Sequence, residues 1–339
     1  MISIQNLLRK NIASLLPYSS ARDDFDGTDG VFLDANENPF GTLNRYPDPY
    51  QKQLKKELAK FKKVSAKNIF IGNGSDEVID LAFRIFCEPG RDKALTFTPT
   101  YGMYDVSAAI NDVELLKTPL NSEFNIDIND DFLQIESLKL IFICSPNNPT
   151  GNLIDTRSIE KLLSNFNGIV IIDEAYIDFC DAPSWNTFLK EFPNLIVCQT
   201  FSKAWGLAAA RVGFCCASEE IISIFNKVKP PYNVSELNQK TALVALRKPK
   251  VFQKNIEIIK DEKLKLILEL NKIDQVIKIY PSDANFLLVE VKDATELYEK
   301  LIKLRIITRN RNKQVKNCLR ISIGTPIENT QLLNALKNK

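Results

Sequence analysis

The chain has 339 residues, 45% of them hydrophobic and 25% charged, enough to bury a sizeable core and to divide into two domains. Its 44 Lys and Arg stand against 42 Asp and Glu, a net charge of +2 that offers no field for nucleic acid or an anionic membrane surface. Histidine is absent, which excludes Ser-His-Asp and Cys-His hydrolases, histidine metal sites and histidine acid/base catalysis together.

The opening "MISIQNLLRKNIASLLPY" places Arg9 and Lys10 where a signal peptide would need its apolar core, and its spacing suits an amphipathic helix. No apolar run approaches the roughly 18 residues of a membrane helix, so a cytoplasmic address is expected. Strand and helix signals then alternate. The strand-like runs are "KNIFIG" (67–72), "KALTFT" (93–98), "VELLKT" (113–118), "LKLIFIC" (138–144), "GIVIID" (168–173), "LIVCQT" (195–200) and "VGFCCA" (212–217). Helical patterns such as "SDEVIDLAFRIFC" and "TRSIEKLLSNF" lie between them, the first opened by Ser75 with Glu77 close behind. This alternation predicts an α/β fold with a mostly parallel sheet.

Beyond "KPPYN" (229–233) the texture changes to long charged helices, "KPKVFQKNIEIIKDEKLKLILELNK", then a strand, "NFLLVEV", and a helix, "ATELYEKLIKL". A domain boundary is placed near residue 231. The expected division is an N-terminal arm over 1–30, a large α/β domain over 31–230 and a smaller α/β domain over 231–339. The seven cysteines are odd in number, form no C-x-x-C pair and sit mostly in apolar runs, as reduced core residues do.

In open α/β sheets ligands gather beyond the carboxyl ends of the strands, and those ends are polar here. After 67–72 comes "GNGSDE", where Gly72 and Gly74 let the backbone turn and Ser75 starts a helix whose first N–H groups suit a phosphate. After 93–98 comes "PTYGMY", offering the ring of Tyr101; after 138–144 comes "SPNNPTG", offering the amides of Asn147 and Asn148. After 168–173 comes "DEAY", with Asp173 at a buried strand end and Tyr176 three positions on; such a carboxylate needs a cationic or N–H partner. After 195–200 comes "FSKAWG", with Ser202, Lys203 and, eight positions later, Arg211. A lysine between two buried segments has a specific partner or a depressed pKa. Taken singly, each end also fits a plain turn, cap or packing role. Together they supply an aldehyde-reactive amine, an acid for a protonated ring nitrogen, an aromatic face, donors to a ring oxygen and phosphate donors, which is the inventory pyridoxal 5′-phosphate requires.

The residues "SPNNPTG", "DEAY" and "TFSKAWGLAAARVG", in that order and spacing, resemble the fold-type I aminotransferases, pyridoxal-phosphate enzymes of the class II subfamily. "LPYSSAR", "LDANENPFG", "RYPDP", "NGSDE", "PTYGMYDV" and "RNRNKQVKNCLRISIGT" are similar to the histidinol-phosphate aminotransferase branch, and the resemblance runs from about Pro17 to Thr325. It implies a large domain with a mostly parallel seven-stranded sheet flanked by helices, plus the smaller C-terminal domain. Lys203 would hold the cofactor covalently, Asp173 would pair with its ring nitrogen, Asn148 and Tyr176 would bond the ring hydroxyl oxygen, and Tyr101 would stack on the ring. Gly74, the backbone N–H groups of Ser75 and Asp76, Ser202 and Arg211 would hold the phosphate. Tyr46 would reach it from a second subunit, which implies a homodimer with shared active sites.

Tyr18, Asn38, Asn148, Arg309 and Arg320 would bind substrate, with Arg320 on its anionic end and Arg309 and Tyr18 favouring a phosphate. The implied reaction moves an amino group between L-glutamate and 3-(imidazol-4-yl)-2-oxopropyl phosphate (imidazole-acetol phosphate) in histidine biosynthesis, with no nucleic-acid, membrane or metal partner. An aromatic aminotransferase or a decarboxylase of a phosphorylated amino acid shares parts of these motifs; activity with phenylpyruvate and none with the imidazole ketone would mark them. A non-catalytic cofactor-binding regulator would need an effector module, and only about thirty residues precede the main domain.

Overall fold

The structure is a computed structural model describing residues 3–18, 30–128 and 133–337. The large sheet has seven strands: β1 (Ile69–Gly72), β2 (Lys93–Thr98), β3 (Glu114–Pro119), β4 (Leu138–Cys144), β5 (Ile169–Asp173), β6 (Leu195–Thr200) and β7 (Gly213–Ala217), in spatial order β1-β7-β6-β5-β4-β2-β3. β3, β2, β4, β5 and β6 run parallel; β7 pairs antiparallel with both β6 and β1. The sequence runs 93–98, 138–144 and 195–200 coincide with β2, β4 and β6, because strands buried on both faces read as unbroken apolar runs.

The helices are α1 (Lys10–Ala13), α2 (Lys52–Lys62), α3 (Ser75–Phe86), α4 (Met103–Ile110), α5 (Thr156–Asn165), α6 (Glu219–Val228), α7 (Glu236–Leu246), α8 (Pro249–Leu270), α9 (Ala294–Lys303) and α10 (Pro326–Lys337). The period-2 alternation of the strands splits their side chains between two cores. Leu140, Phe142, Ile169 and Ile171 join Phe83 of α3 and Phe225 of α6 on one face, while Ile141, Val170 and Val197 join Ile159 and Leu162 of α5 on the other.

A second sheet is antiparallel throughout: β8 (Val276–Ile279), β9 (Phe286–Val291), β10 (Arg309–Asn310) and β11 (Cys318–Ser322), ordered β10-β11-β9-β8. Its core takes Leu266 and Leu270 from α8, Leu297 and Leu301 from α9 and Leu332 from α10. The boundary placed near residue 231 falls ahead of α7. That helix buries Ala242, Leu243 and Leu246 with Leu54 and Leu58 of α2 and Ile69 and Ile71 of β1, in the core of the large sheet.

One local expectation is corrected. The opening segment is not one helix but a 3-10 turn at Ile4–Leu7 followed by α1. It breaks at Arg9, whose N–H donates to Ile85 O at 3.0 Å and whose guanidinium donates to Arg84 O at 3.1 Å, pinning the chain to the end of α3. Ser75 is the first residue of α3, as expected, and the cap before it is Gly74, at φ 80°, with the Glu77 carboxylate reaching back to accept from the Asn73 N–H at 2.5 Å.

Candidate active site

A cavity of about 240 Å³ lies beyond the carboxyl ends of β4, β5 and β6, against the start of α3 and under the small sheet. Its deep end is Asp173, buried at the end of β5. Tyr104 of α4 donates its hydroxyl to Asp173 Oδ2 at 3.0 Å, and the Ala175 N–H donates to Oδ1 at 3.1 Å. Burial pushes this carboxyl up to about 6, against the opposing pull of those two donors. The next residue, Glu174, is turned into protein and accepts from Ser184 Oγ at 2.6 Å, the Trp185 N–H at 2.7 Å and Gln199 Nε2 at 2.7 Å; burial raises it to about 7.

Lys203 follows β6 in a loop whose neighbours Phe201 and Ala204 are buried, while Lys203 itself is open to the cavity. Its Nζ stands 5.7 Å from the centre of the Tyr176 ring. Burial, and then the charge of Arg320, draw its ammonium below the ordinary lysine value, with Asp173 and Asp76 opposing. The combination leaves a larger fraction of free amine near neutral pH. Tyr176 is buried and meets Phe286 of the small sheet edge-on at 5.1 Å, so burial raises its phenol.

The opposite end is built on α3 and β7. Ser75 and Asp76 occupy the first turn of α3, where backbone N–H groups have no intrahelical acceptor. Arg211, just before β7, donates to Asp76 Oδ2 at 3.3 Å, and the Tyr101 hydroxyl donates to Asp76 Oδ1 at 3.1 Å. Both carboxylate oxygens of Asp76 are thus engaged, leaving its backbone N–H for an anion. Two glycines allow this close approach: a Cβ on Gly74 would lie 2.7 Å from Arg211 Nη2, and one on Gly213 would lie 2.1 Å from Ser75 N. Ser202 completes this wall, its N–H held by Thr200 Oγ1 at 3.1 Å.

The two asparagines of "SPNNPTG" separate in role. Asn147 ties its own loop, donating to Pro99 O and Thr150 Oγ1 and accepting from Thr100 Oγ1. Asn148 lines the cavity and accepts from the guanidinium of Arg320, which reaches in from β11 and passes 5.3 Å from the Phe286 ring. Arg311 also lines the cavity although the sequence did not single it out. Burial and its neighbours Arg320 and Arg309 lower it to about 10, and its Nε is buried with no hydrogen-bond acceptor. No strand period could have found it, since β10 ends at Asn310 and Arg309, two positions earlier and opposite Arg320, stays outside the cavity.

Other residues of interest stand apart. Arg309 is exposed and does not line the cavity. Asn38 and Tyr46 line a separate, more open cavity of about 700 Å³, with Tyr46 stacked on Tyr232 at 4.4 Å. Tyr18 is exposed beside Lys227 and Lys229. Cys144 lines the main cavity, but burial raises its thiol well above the ordinary value and leaves it unreactive. Among the described residues no group of His, Cys, Asp and Glu is placed to hold a metal ion, and no helix is long and apolar enough to cross a membrane.

A buried acid, an amine with a lowered pKa and a helix end with N–H groups lacking intrahelical acceptors in one cavity suit chemistry on a phosphorylated aldehyde cofactor, and the chain belongs to the pyridoxal-phosphate-dependent aminotransferases: the family described as "Aminotransferase class I and II" matches residues 24–336. Within that class it is 48% identical to the histidinol-phosphate aminotransferase of Cytophaga hutchinsonii, over 99% of each chain. Among solved structures it is similar to the histidinol-phosphate aminotransferase of Clostridium acetobutylicum (TM-score 0.80, 26% identity, 87% of this chain and 90% of that one). The enzyme of the same name from Sinorhizobium meliloti, solved in complex with pyridoxal-5′-phosphate, shares the fold (TM-score 0.80, 23% identity, 89% and 88%).

The residues present fit pyridoxal 5′-phosphate. The donor set has the Asp173 carboxylate at one end, Arg211 with its partner Asp76 and the N–H groups of the first turn of α3 at the other, and the Lys203 amine in the same cavity, and the room beside Arg211 exists because position 74 carries no Cβ.

Proposed function

We propose that this chain transfers an amino group reversibly between L-glutamate and 3-(imidazol-4-yl)-2-oxopropyl phosphate, giving 2-oxoglutarate and L-histidinol phosphate. Full-length similarity to relatives of that name supports the reading, and the observation that carries it is Arg320 bonded to Asn148, with Arg311 beside it, over the Lys203 amine. Glutamate brings a carboxylate to such a site and the ketone brings a phosphate. A planar guanidinium can bond either in a bidentate fashion.

Bound pyridoxal 5′-phosphate supplies an aldehyde that condenses with amines and a ring that takes up electrons. Lys203 would hold it, then act as the base that removes the substrate α-proton and the acid that returns it, a role its lowered pKa suits. Asp173 would face the ring nitrogen, Tyr101 the ring, and Asn148 and Tyr176 the ring oxygen. Ser75, Asp76, Ser202 and Arg211 would receive the phosphate.

The reading includes a cytoplasmic homodimer whose chain divides into an arm, a large domain and a small domain. Val31, Leu33 and Phe40 leave 83–89% of their surface open near Tyr46, the kind of apolar stretch a second copy covers. Tyr46 would then enter the neighbouring site. The test is the spectrum of the purified protein followed by single turnovers with glutamate and with the imidazole ketone. Turnover of phenylpyruvate without turnover of the imidazole ketone would overturn the substrate assignment.

A further inference from the structure

Asp173 is held from behind by a residue that the cavity does not expose. Tyr104 is fully buried, its ring stacked on Phe142 with centroids 5.0 Å apart and set edge-on to Tyr101 at 5.7 Å. The ring therefore has little freedom, and its hydroxyl meets Asp173 Oδ2 at 3.0 Å. Packing alone does not call for that oxygen, since phenylalanine would fill the same stack. A hydroxyl buried without an acceptor is costly, so the oxygen is tolerated there because Asp173 accepts from it.

We infer that Tyr104 is a positioning residue for the reaction: it fixes the plane of the Asp173 carboxylate, leaving the rest of that carboxylate's acceptor capacity for a cationic ring nitrogen in the cavity. The inference rests on the reading that Asp173 faces the cofactor ring.

The groups around Asp173 set the direction of the effect. Burial, and after it Asp76 on α3, disfavour its charge; Tyr104 on α4, then the Ala175 N–H and Lys203 beyond β6, favour it. Cys144 on β4, Cys198 on β6, Tyr101 before α4 and Tyr176 after β5 are all raised by burial and stay neutral near pH 7. Removing the Tyr104 hydroxyl leaves one hydrogen-bond donor on the carboxylate. Its pKa then moves up from about 6, and a smaller fraction is ionised at pH 7.

The experiment is equilibrium binding of pyridoxal 5′-phosphate to the apoprotein, followed by fluorescence between pH 5.5 and 8.5, for the parent, Tyr104→Phe, Asp173→Asn and the double variant. Circular dichroism establishes that each is folded. Tyr104→Phe should weaken binding about tenfold at pH 7, the scale of one hydrogen bond to a charged group, and move the acid limb of the pH profile upward. It should add nothing in the Asp173→Asn background. Equal weakening in both backgrounds, or no weakening in either, would overturn the role of Tyr104. Tight binding by Asp173→Asn alone would instead overturn the reading of Asp173. If the phenylalanine variant does not fold, 3-fluorotyrosine at position 104 retains the donor and should bind within about twofold of the parent; a loss as large as tenfold overturns the proposal.

Discussion

The Asp173 end of the cavity and the end covered by the small sheet, distinct from the Arg211 wall on α3 and β7, are built from different materials. At the Asp173 end the groups are short, buried and fixed by strand termini and by hydrogen bonds from two directions. At the Arg320 end long guanidinium chains project from the small antiparallel sheet, and one of the three, Arg309, lies outside the cavity altogether. The first end can tolerate one geometry. The second can adjust to anions of different size, which is what a site serving a carboxylate and a phosphate in turn requires.

The contrast is broken most severely at the amine between the two ends. Lys203→Ala should reduce turnover roughly 10⁴-fold while circular dichroism stays unchanged, because nucleophile and proton carrier are lost together. Borohydride treatment of the parent should fix the cofactor to the peptide containing Lys203; label on another lysine would end the assignment. Next comes the rigid end: Asp173→Asn should slow both half-reactions about 10²- to 10³-fold, the scale of removing one preorganised electrostatic group. A loss below about tenfold would place the ring-nitrogen partner elsewhere.

At the adaptable end Arg320→Lys should cost about 10- to 10³-fold in both half-reactions, since a point charge replaces a bidentate fork. Arg311→Ala should weaken the phosphorylated substrate about tenfold more than glutamate, and Arg309→Ala should do the same by a smaller factor, because only Arg311 lines the cavity. Single turnovers of the two half-reactions measure this; equal losses for both substrates in Arg311→Ala would remove its phosphate role.

The smallest effect is on stability. Asp173 and Glu174 have folded pKa values of about 6 and about 7, above those of the unfolded chain, so between pH 4 and 7 the native apoprotein binds protons the unfolded chain has released. Their contribution to stability is therefore greatest on the acid side and is lost as pH rises through 6 and 7, on the order of 2–3 kcal/mol apiece at most. Urea unfolding of apoprotein at pH 5.5 and pH 8 should show it, and Glu174→Gln should shrink the difference between the two. An unchanged difference would mean that Glu174 is ionised throughout.

What the sequence disclosed follows from which signals are local. Strands β2, β4 and β6 were legible to the residue because unbroken apolar runs admit few other readings, and the polar residues just past them pointed at the cavity. Tyr104 was not legible: three positions after Tyr101 on a helix, it looked like one more packing aromatic, and only the tertiary fold brings β5 to it. Asn147 and Asn148 are equivalent in residue type, so only the family resemblance singled out Asn148, and a turn aims it inward while Asn147 ties the loop. The start of α3 at Ser75 was legible because the glycine before it permits the positive φ that the turn needs. The division near residue 231 followed a change in composition, which does not reveal that α7 packs back on α2.

One consequence follows from the strand order. Asp173 closes β5, Lys203 extends from β6 and Arg211 leads into β7, three neighbours in the sheet. The strands themselves lie about 4.8 Å apart, so roughly 10 Å separates β5 from β7, and the loops that leave β6 and enter β7 carry Lys203 and Arg211 beyond them. The sheet is therefore a ruler laid across the site. Side chains grade the charge along it, but the spacing of its strands belongs to backbone hydrogen bonds that no single substitution rewrites.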